Sequence, residues 1–140
     1  MRLIWFVILV LSLIGNAVAK DKPIITKVDR VYDGDTFMIT MDGLPSQLAQ
    51  ISVRIMGIDS PEMHGKCWAE KEWAVSARDY LNTIISGKFV TLTSCSWDKY
   101  GSRIDCDVWV DGYNVGDNML QHKMAVPYNG KKRSKNWCKI

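Results

Sequence analysis

The sequence predicts a small α+β protein, mainly β, with the order three strands, one long helix, two strands and a short helix. Three observations predict it. Apolar and polar residues alternate in short runs, apolar residues recur every three or four positions in one long stretch, and Asp-Gly or proline turns separate the runs. A five-stranded OB-type barrel with two to three packed helices fits this order, although composition alone fits another small α+β fold equally well.

The first three predicted strands follow one another closely, which favours an antiparallel meander. Residues 24–32 are rich in β-branched side chains and end at Asp33. Residues 37–41 alternate in character, as do residues 51–55. We expect residues 46–50 to be a linker between them.

Helical spacing begins after Pro61. Apolar residues recur every three or four positions from about Lys66, and Gly87 is placed to end this helix. Residues 89–93 and 104–110 predict the fourth and fifth strands. Asn114 is a suitable cap for the short last helix.

The N-terminus has the pattern of a signal peptide over residues 1–19. Arg2 precedes an apolar run, and Ala17-Val18-Ala19 is a small-residue cleavage site. A membrane anchor is the alternative, but the apolar run is shorter than the roughly 20 residues that span a bilayer. We therefore expect residues 20–140 to form one domain, secreted or periplasmic, monomeric, and without stable membrane association after cleavage.

The net charge of +3 is too small to indicate nucleic-acid binding by itself. A local basic cluster lies near the C-terminus, and its default interpretation is a solvated tail. This cluster consists of Lys131, Lys132, Arg133 and Lys135.

The four cysteines predict two disulfides, because the count is even and the chain carries an export signal. A zinc site is the alternative, but no C-x-x-C spacing is present. We favour Cys95 with Cys106, since the turn-rich segment between them suggests facing hairpin strands. Cys67 then pairs with Cys138.

Two short segments supply candidate chemistry. Asp35 and Asp59 are hard oxygen ligands near strand ends, suited to calcium or magnesium. Glu62 follows three residues after Asp59, and Arg54 lies on the strand between the segments. Carboxylates that hold a cation, one that orients water, and an arginine for a phosphate are what phosphoryl transfer requires. Asp33, in contrast, is interpreted as a turn former.

Three ordered segments resemble the signatures of staphylococcal-nuclease-like (thermonuclease) domains. They are residues 31–37 (VYDGDTF), residues 53–62 (VRIMGIDSPE) and residues 98–103 (DKYGSR). The resemblance extends over essentially the whole chain after residue 19 and includes the closing residues 127–130. It implies an OB-fold barrel and a calcium-dependent phosphodiesterase that cleaves DNA and RNA with little sequence specificity and leaves 3′-phosphate ends.

The resemblance also implies roles for single residues. Asp35 and Asp59 would ligate Ca²⁺ through their side chains and Ser60, where the family more often has threonine, through its main-chain carbonyl. Glu62 matches the family's proposed general base, and Arg54 matches the arginine that reaches the scissile phosphate.

The substrate-contacting positions of the family match Lys99, Tyr100 and Tyr128. The second catalytic arginine departs from the pattern, because Ser102 intervenes after Lys-Tyr-Gly and the arginine is Arg103. A one-residue shift in a regular strand turns a side chain to the opposite face, whereas a bulge or longer turn restores its aim. We expect Arg103 to be the functional arginine.

Two other functions remain open at this stage. The same fold can keep nucleic-acid affinity after losing catalysis, which would give a catalytically weakened OB-fold nucleic-acid-binding protein. A structural, disulfide-linked secreted protein is the third. The joint presence of Arg54, Asp35, Asp59 and Glu62 favours the enzyme, because a pure binding protein does not need that set.

Overall fold

The computed structural model describes residues 21–133 and 135–139. The predicted signal peptide lies outside these residues. Within them, no helix has the length and apolar character needed to cross a membrane.

The described chain contains eight strands and three helices. The strands are β1 (Ile24–Val31), β2 (Thr36–Thr40), β3 (Gln50–Ile55), β4 (Ile58–Asp59), β5 (Phe89–Trp97), β6 (Arg103–Val110), β7 (Tyr113–Asn114) and β8 (Val126–Pro127). The helices are α1 (Ser46–Ala49), α2 (Trp68–Ile85) and α3 (Val115–Gln121).

The main sheet closes on itself. Its strand order is β3-β2-β1-β5-β6-β7, and an additional parallel pairing of β3 with β6 joins the two sides. The remaining pairings are antiparallel, including the predicted meander of β1, β2 and β3. The structure therefore confirms the predicted mainly β, five-stranded OB-type barrel with packed helices.

Three local features differ from the sequence prediction. The segment predicted as a linker contains the one-turn helix α1. Strand β5 continues four residues beyond the predicted Thr93 to Trp97 because a bulge near Ser94, whose φ is 53°, lets pairing with β6 resume. Strands β4 and β8 form a separate two-stranded sheet, and two-residue strands carry no periodicity that a sequence pattern could show.

Helix α2 packs its apolar side against the barrel. Its buried side chains include Ala74, Ala77, Leu81 and Ile85, at the predicted helical spacing. The helix ends before Gly87, which has a φ of 66° and so adopts a left-handed conformation that glycine tolerates without strain. Helix α3 begins as predicted, with Oδ1 of Asn114 accepting a hydrogen bond from the Asp117 amide.

Both predicted disulfides are present. Cys95 joins Cys106 across the β5–β6 hairpin, and Cys67 at the start of α2 joins Cys138 near the C-terminus. The second disulfide holds the C-terminal segment against the end of α2 that faces the candidate site.

Candidate active site

The turn between β1 and β2 presents Asp35. Oδ1 of Asp33 accepts a hydrogen bond from the Asp35 amide at 3.1 Å, and Thr36 Oγ1 donates to Asp35 Oδ1 at 2.8 Å. Gly34 lies so close to its neighbours that a Cβ there would be 2.7 Å from Cβ of Ala77 and 2.8 Å from Cβ of Ser60. Glycine therefore lets helix α2 and the Ser60 segment approach this turn.

The Asp59-Ser60 segment meets that turn directly. The Ser60 amide donates to Asp35 Oδ2 at 2.9 Å, and Asp35, Asp59 and Ser60 are all buried. The two carboxylate-bearing segments, which the sequence could only place near strand ends, thus converge on one site.

Arg54 joins the two carboxylates. Its Nη2 donates to the carbonyl of Ile58 at 3.1 Å and lies 3.7 Å from Asp35 Oδ2 and 3.9 Å from Asp59 Oδ1. Its guanidinium carbon is 5.1 Å from the centre of the Tyr128 ring, within the range of a cation–π contact. Arg54 is therefore held in one orientation by a carbonyl, two carboxylates and an aromatic face.

The site carries more negative than positive charge. Burial, followed by the charge of Asp35, raises the pKa of Asp33 to about 7, and burial raises the pKa of Asp59. The carboxylates that face one another here with only two guanidinium groups are those of Asp33, Asp35, Asp59, Glu62 and Glu70. A divalent cation would relieve this repulsion.

The donors present suit such a cation. Asp35 and Asp59 supply carboxylate oxygens and Ser60 a carbonyl oxygen, which are the hard ligands that calcium prefers. Across the described residues, no group of three or more His, Cys, Asp or Glu side chains is spaced to hold a metal. The set found here, two carboxylates and a main-chain carbonyl, is of a different kind.

Glu62 is half-exposed at the mouth of the same site. Its pKa is raised, chiefly by burial, although Arg133 opposes the rise. A carboxylate with a raised pKa is a stronger proton acceptor when ionised, which suits a general base.

Glu70, which the sequence reasoning missed, fixes the loop that carries Glu62. Its buried carboxylate accepts hydrogen bonds from the amides of Glu62 at 3.3 Å and Lys66 at 3.2 Å. A Cβ at Gly65 would lie 2.5 Å from Cγ of Glu70, so only glycine fits there unstrained. The available signal was the Cys67-x-x-Glu70 spacing, because an acidic residue three positions after a helix cap often bonds back to the preceding loop.

Arg103 begins β6 and faces the same cleft. Its Nε and Nη2 lie 2.9 and 2.8 Å from Asp98 Oδ2, and Asp105 Oδ1 is 3.9 Å from its Nε. Ser102 belongs to the turn before the strand, where Gly101 has a φ of 73°. The added residue is accommodated in the turn, and Arg103 remains on the cleft side of the barrel.

The predicted substrate-binding residues lie around this cleft. Tyr100 lines it and is 71% exposed, and Lys99 Nζ lies 5.1 Å from the Tyr100 ring centre. Tyr128 lines a neighbouring hollow with Lys132 and contacts Arg54 as described.

Arg133 does not fit the interpretation of the basic cluster as a solvated tail. Its Nε donates to Asp59 Oδ2 at 3.0 Å, and its Nη2 donates to the Ser60 carbonyl and to Glu70 Oε1, both at 3.3 Å. No periodicity or motif predicts these contacts, because 74 residues of sequence separate Arg133 from Asp59.

The cleft has a volume of about 600 Å³ and is open along one side of the barrel. Its lining is polar and of mixed charge, and it continues from the carboxylates along β1, β2 and β3. The lining residues are Arg30, Tyr32, Asp33, Asp35, Thr36, Met38, Gln50, Ser52, Arg54, Glu62, Asp98, Tyr100, Ser102 and Arg103.

Comparison with known proteins agrees with this geometry. The family model of staphylococcal nuclease homologues matches residues 52–138. An uncharacterized endonuclease of Escherichia coli O157:H7 is 29% identical over 102 residues, covering 73% of this chain and 60% of that protein. The probable endonuclease LCL3 of Candida tropicalis is 28% identical over 141 aligned positions, covering 86% of this chain and 60% of that protein.

The chain belongs to the staphylococcal nuclease homologue family, because the family match covers more than half of its length. It spans about 60% of the length of these two curated relatives.

Proposed function

We propose that this protein is an exported, calcium-dependent nuclease that hydrolyses phosphodiester bonds of DNA and RNA with little sequence specificity. One observation carries the proposal: Asp35, Asp59, Ser60, Arg54 and Glu62, from separate segments, converge at the cleft that Arg103 also lines. Membership in a nuclease family and the relatives named as endonucleases support it.

The cation would be held by the carboxylates of Asp35 and Asp59 and the carbonyl of Ser60. When bound, it would supply positive charge next to the phosphate and lower the pKa of an associated water. Calcium is proposed because the ligands are all hard oxygens and because of the family resemblance.

The chain's own side chains would do the rest. Arg54, held between two carboxylates and a carbonyl, presents its remaining N–H groups to a phosphate entering the cleft. Glu62 orients a water for in-line attack and accepts its proton. Arg103 stabilises the charge that develops as the 5′-oxygen departs, leaving a 3′-phosphate end.

Substrate binding outside the scissile phosphate would use Tyr100, Lys99 and Tyr128. Aromatic stacking on bases discriminates little between sequences, because every base has a π-face. The exposure of Tyr100 at the cleft supports this role. Export to the periplasm or outside the cell follows from the signal-peptide pattern of residues 1–19.

A plasmid-degradation assay tests the proposal. The disulfide-bonded protein is incubated with plasmid DNA and, separately, with RNA, in calcium and in chelator, and then across calcium, magnesium and manganese. We expect chelator-sensitive cleavage, and we expect Glu62→Gln to lower the rate by about 10²- to 10⁴-fold. The matched control is Glu72→Gln, an exposed position on α2. Binding of nucleic acid without chelator-sensitive cleavage would instead favour the catalytically weakened binding protein.

A further inference from the structure

Arg133 occupies oxygen atoms that the proposed cation needs. Its guanidinium lies 3.0 Å from Asp59 Oδ2 and 3.3 Å from the carbonyl oxygen of Ser60. These are two of the three proposed ligand groups. The same guanidinium lies 3.7 Å from Glu62 Oε1, so it also faces the proposed base.

The position of Arg133 is fixed from several directions. On its N-terminal side, the Tyr128 amide donates to the Gly57 carbonyl at 2.9 Å. On its C-terminal side, Trp137 is buried and Cys138 forms the disulfide with Cys67. Glu70 accepts a third hydrogen bond from the guanidinium. The fold therefore delivers this side chain to the site, and it is not the end of a free tail.

A guanidinium and a divalent cation exclude each other here for two reasons. Both need lone pairs of the same Asp59 carboxylate and Ser60 carbonyl, and like charges at ligand distance repel strongly in a partly buried site. Arg54 differs, because it lies on the far oxygen of Asp59, Oδ1, at 3.9 Å and donates instead to the Ile58 carbonyl at 3.1 Å.

We propose that Arg133 is a built-in competitor that sets the cation affinity of the site, so that cation binding requires Arg133 to leave Asp59 and Ser60. This inference rests on the proposed function, because it takes the same three groups as the ligands. It goes further by assigning to a residue outside the family's three signature segments control over how much cation the site requires.

Calcium binding measured without nucleic acid tests the proposal. Isothermal titration calorimetry would compare the wild-type protein, Arg133→Gln and the control Lys132→Gln, which removes the same charge from the adjacent, exposed position. Coupling between two ligands of one site is typically about 5- to 150-fold, and we expect Arg133→Gln to bind calcium about tenfold more tightly. We expect Lys132→Gln to stay within about twofold of wild type, as a rim charge does.

The outcomes separate this inference from the proposed function. Calcium binding by the wild type with equal or weaker binding by folded Arg133→Gln overturns the competitor role and leaves the nuclease proposal standing. Absence of calcium binding in both proteins, with cleavage unaffected by chelator, overturns the proposed calcium dependence and this inference with it.

A second measurement does not depend on the folding of the variant. In the wild-type protein, the Nε–H resonance of Arg133 reports its hydrogen bond to Asp59. We expect calcium to shift this resonance toward that of a solvated guanidinium. A resonance unchanged at saturating calcium would show that Arg133 stays in place and would overturn the proposal.

Discussion

The main-chain amide of Ser60 donates a hydrogen bond to Oδ2 of Asp35 at 2.9 Å, although 25 residues separate them in sequence. This bond joins the β1–β2 turn to the segment after β4. It places two carboxylates, a main-chain carbonyl and Arg54 within one site. The proposed chemistry depends on this convergence more than on any single residue.

Arg103→Gln should lower the rate of cleavage and leave calcium affinity unchanged. The guanidinium contacts Asp98 and Asp105 and none of the proposed cation ligands. An arginine that stabilises a phosphoryl-transfer transition state is worth on the order of 10³-fold or more. Single-turnover cleavage and calcium calorimetry check the two halves of the prediction. Arg78→Gln, which removes an exposed arginine paired with Asp79, is the control. A tenfold or smaller effect at Arg103 would argue that the added Ser102 has misdirected it.

Gly65→Ala should destabilise the protein and slow cleavage together. A Cβ at this position would lie 2.6 Å from Cδ of Glu70 and push that carboxylate away from the amides of Glu62 and Lys66. Overpacking of this kind costs about 1–3 kcal/mol. Urea unfolding and the cleavage rate are the measurements.

The control for this substitution is Gly112→Ala, where the added Cβ meets nothing within 4 Å but the φ of 83° is unfavourable for alanine. We expect it to lower stability by about 1 kcal/mol and leave the cleavage rate unchanged. Equal effects of the two substitutions on cleavage would contradict a positioning role for Glu70.

The metal-free protein should lose stability as pH rises from 3.8 to about 7, the interval over which burial and Asp35 raise the pKa of Asp33. An acid whose pKa is higher in the folded state binds more protons there, so its ionisation lowers the free energy of unfolding. Asp33→Asn keeps an oxygen that can accept from the Asp35 amide and should flatten this dependence. Urea unfolding in chelator across this interval is the measurement, with Asp42→Asn, at an exposed Asp-Gly turn, as the control. Parallel curves for Asp33→Asn and wild type would contradict the assignment.

The two disulfides should differ in what they support. In the loop-entropy description, removing Cys67–Cys138, with a separation of 71 residues, costs roughly 4 kcal/mol, and removing Cys95–Cys106, with a separation of 11, roughly 3 kcal/mol. Because Cys95–Cys106 braces the hairpin that carries Arg103, the double variant Cys95→Ser with Cys106→Ser should also cleave more slowly per folded molecule. Chemical denaturation and cleavage rates at matched folded fraction check this. Equal turnover with and without the bond would argue against bracing.

Much of the fold follows from local pattern. The period-two runs predicted the five barrel strands, and the helical spacing of residues such as Ala77 and Leu81 predicted α2 and its buried face. Helix α1 and the two-residue strands β4 and β8 were not predicted, because elements this short show no periodicity and depend on tertiary contacts.

The site was predicted in part. Asp35, Arg54, Asp59 and Glu62 lie in motifs that the sequence displays, and both disulfides followed from the cysteine count and the hairpin. Glu70 and Arg133 were missed, because their importance comes from which oxygens and amides they meet across the fold. For Arg133, a basic run near a chain end is indistinguishable by pattern from a solvated tail.

The most direct test of the proposed function is the calcium dependence of DNA cleavage by Asp59→Asn, measured beside Asp42→Asn. The substitution removes the charge of a buried proposed ligand and keeps its shape, whereas Asp42 lies in an exposed turn. We expect Asp59→Asn to need at least about tenfold more calcium for half-maximal cleavage, as removal of a charged partner in a partly buried site implies. Asp42→Asn should match wild type. Calcium dependence identical in all three proteins would contradict the proposed cation site.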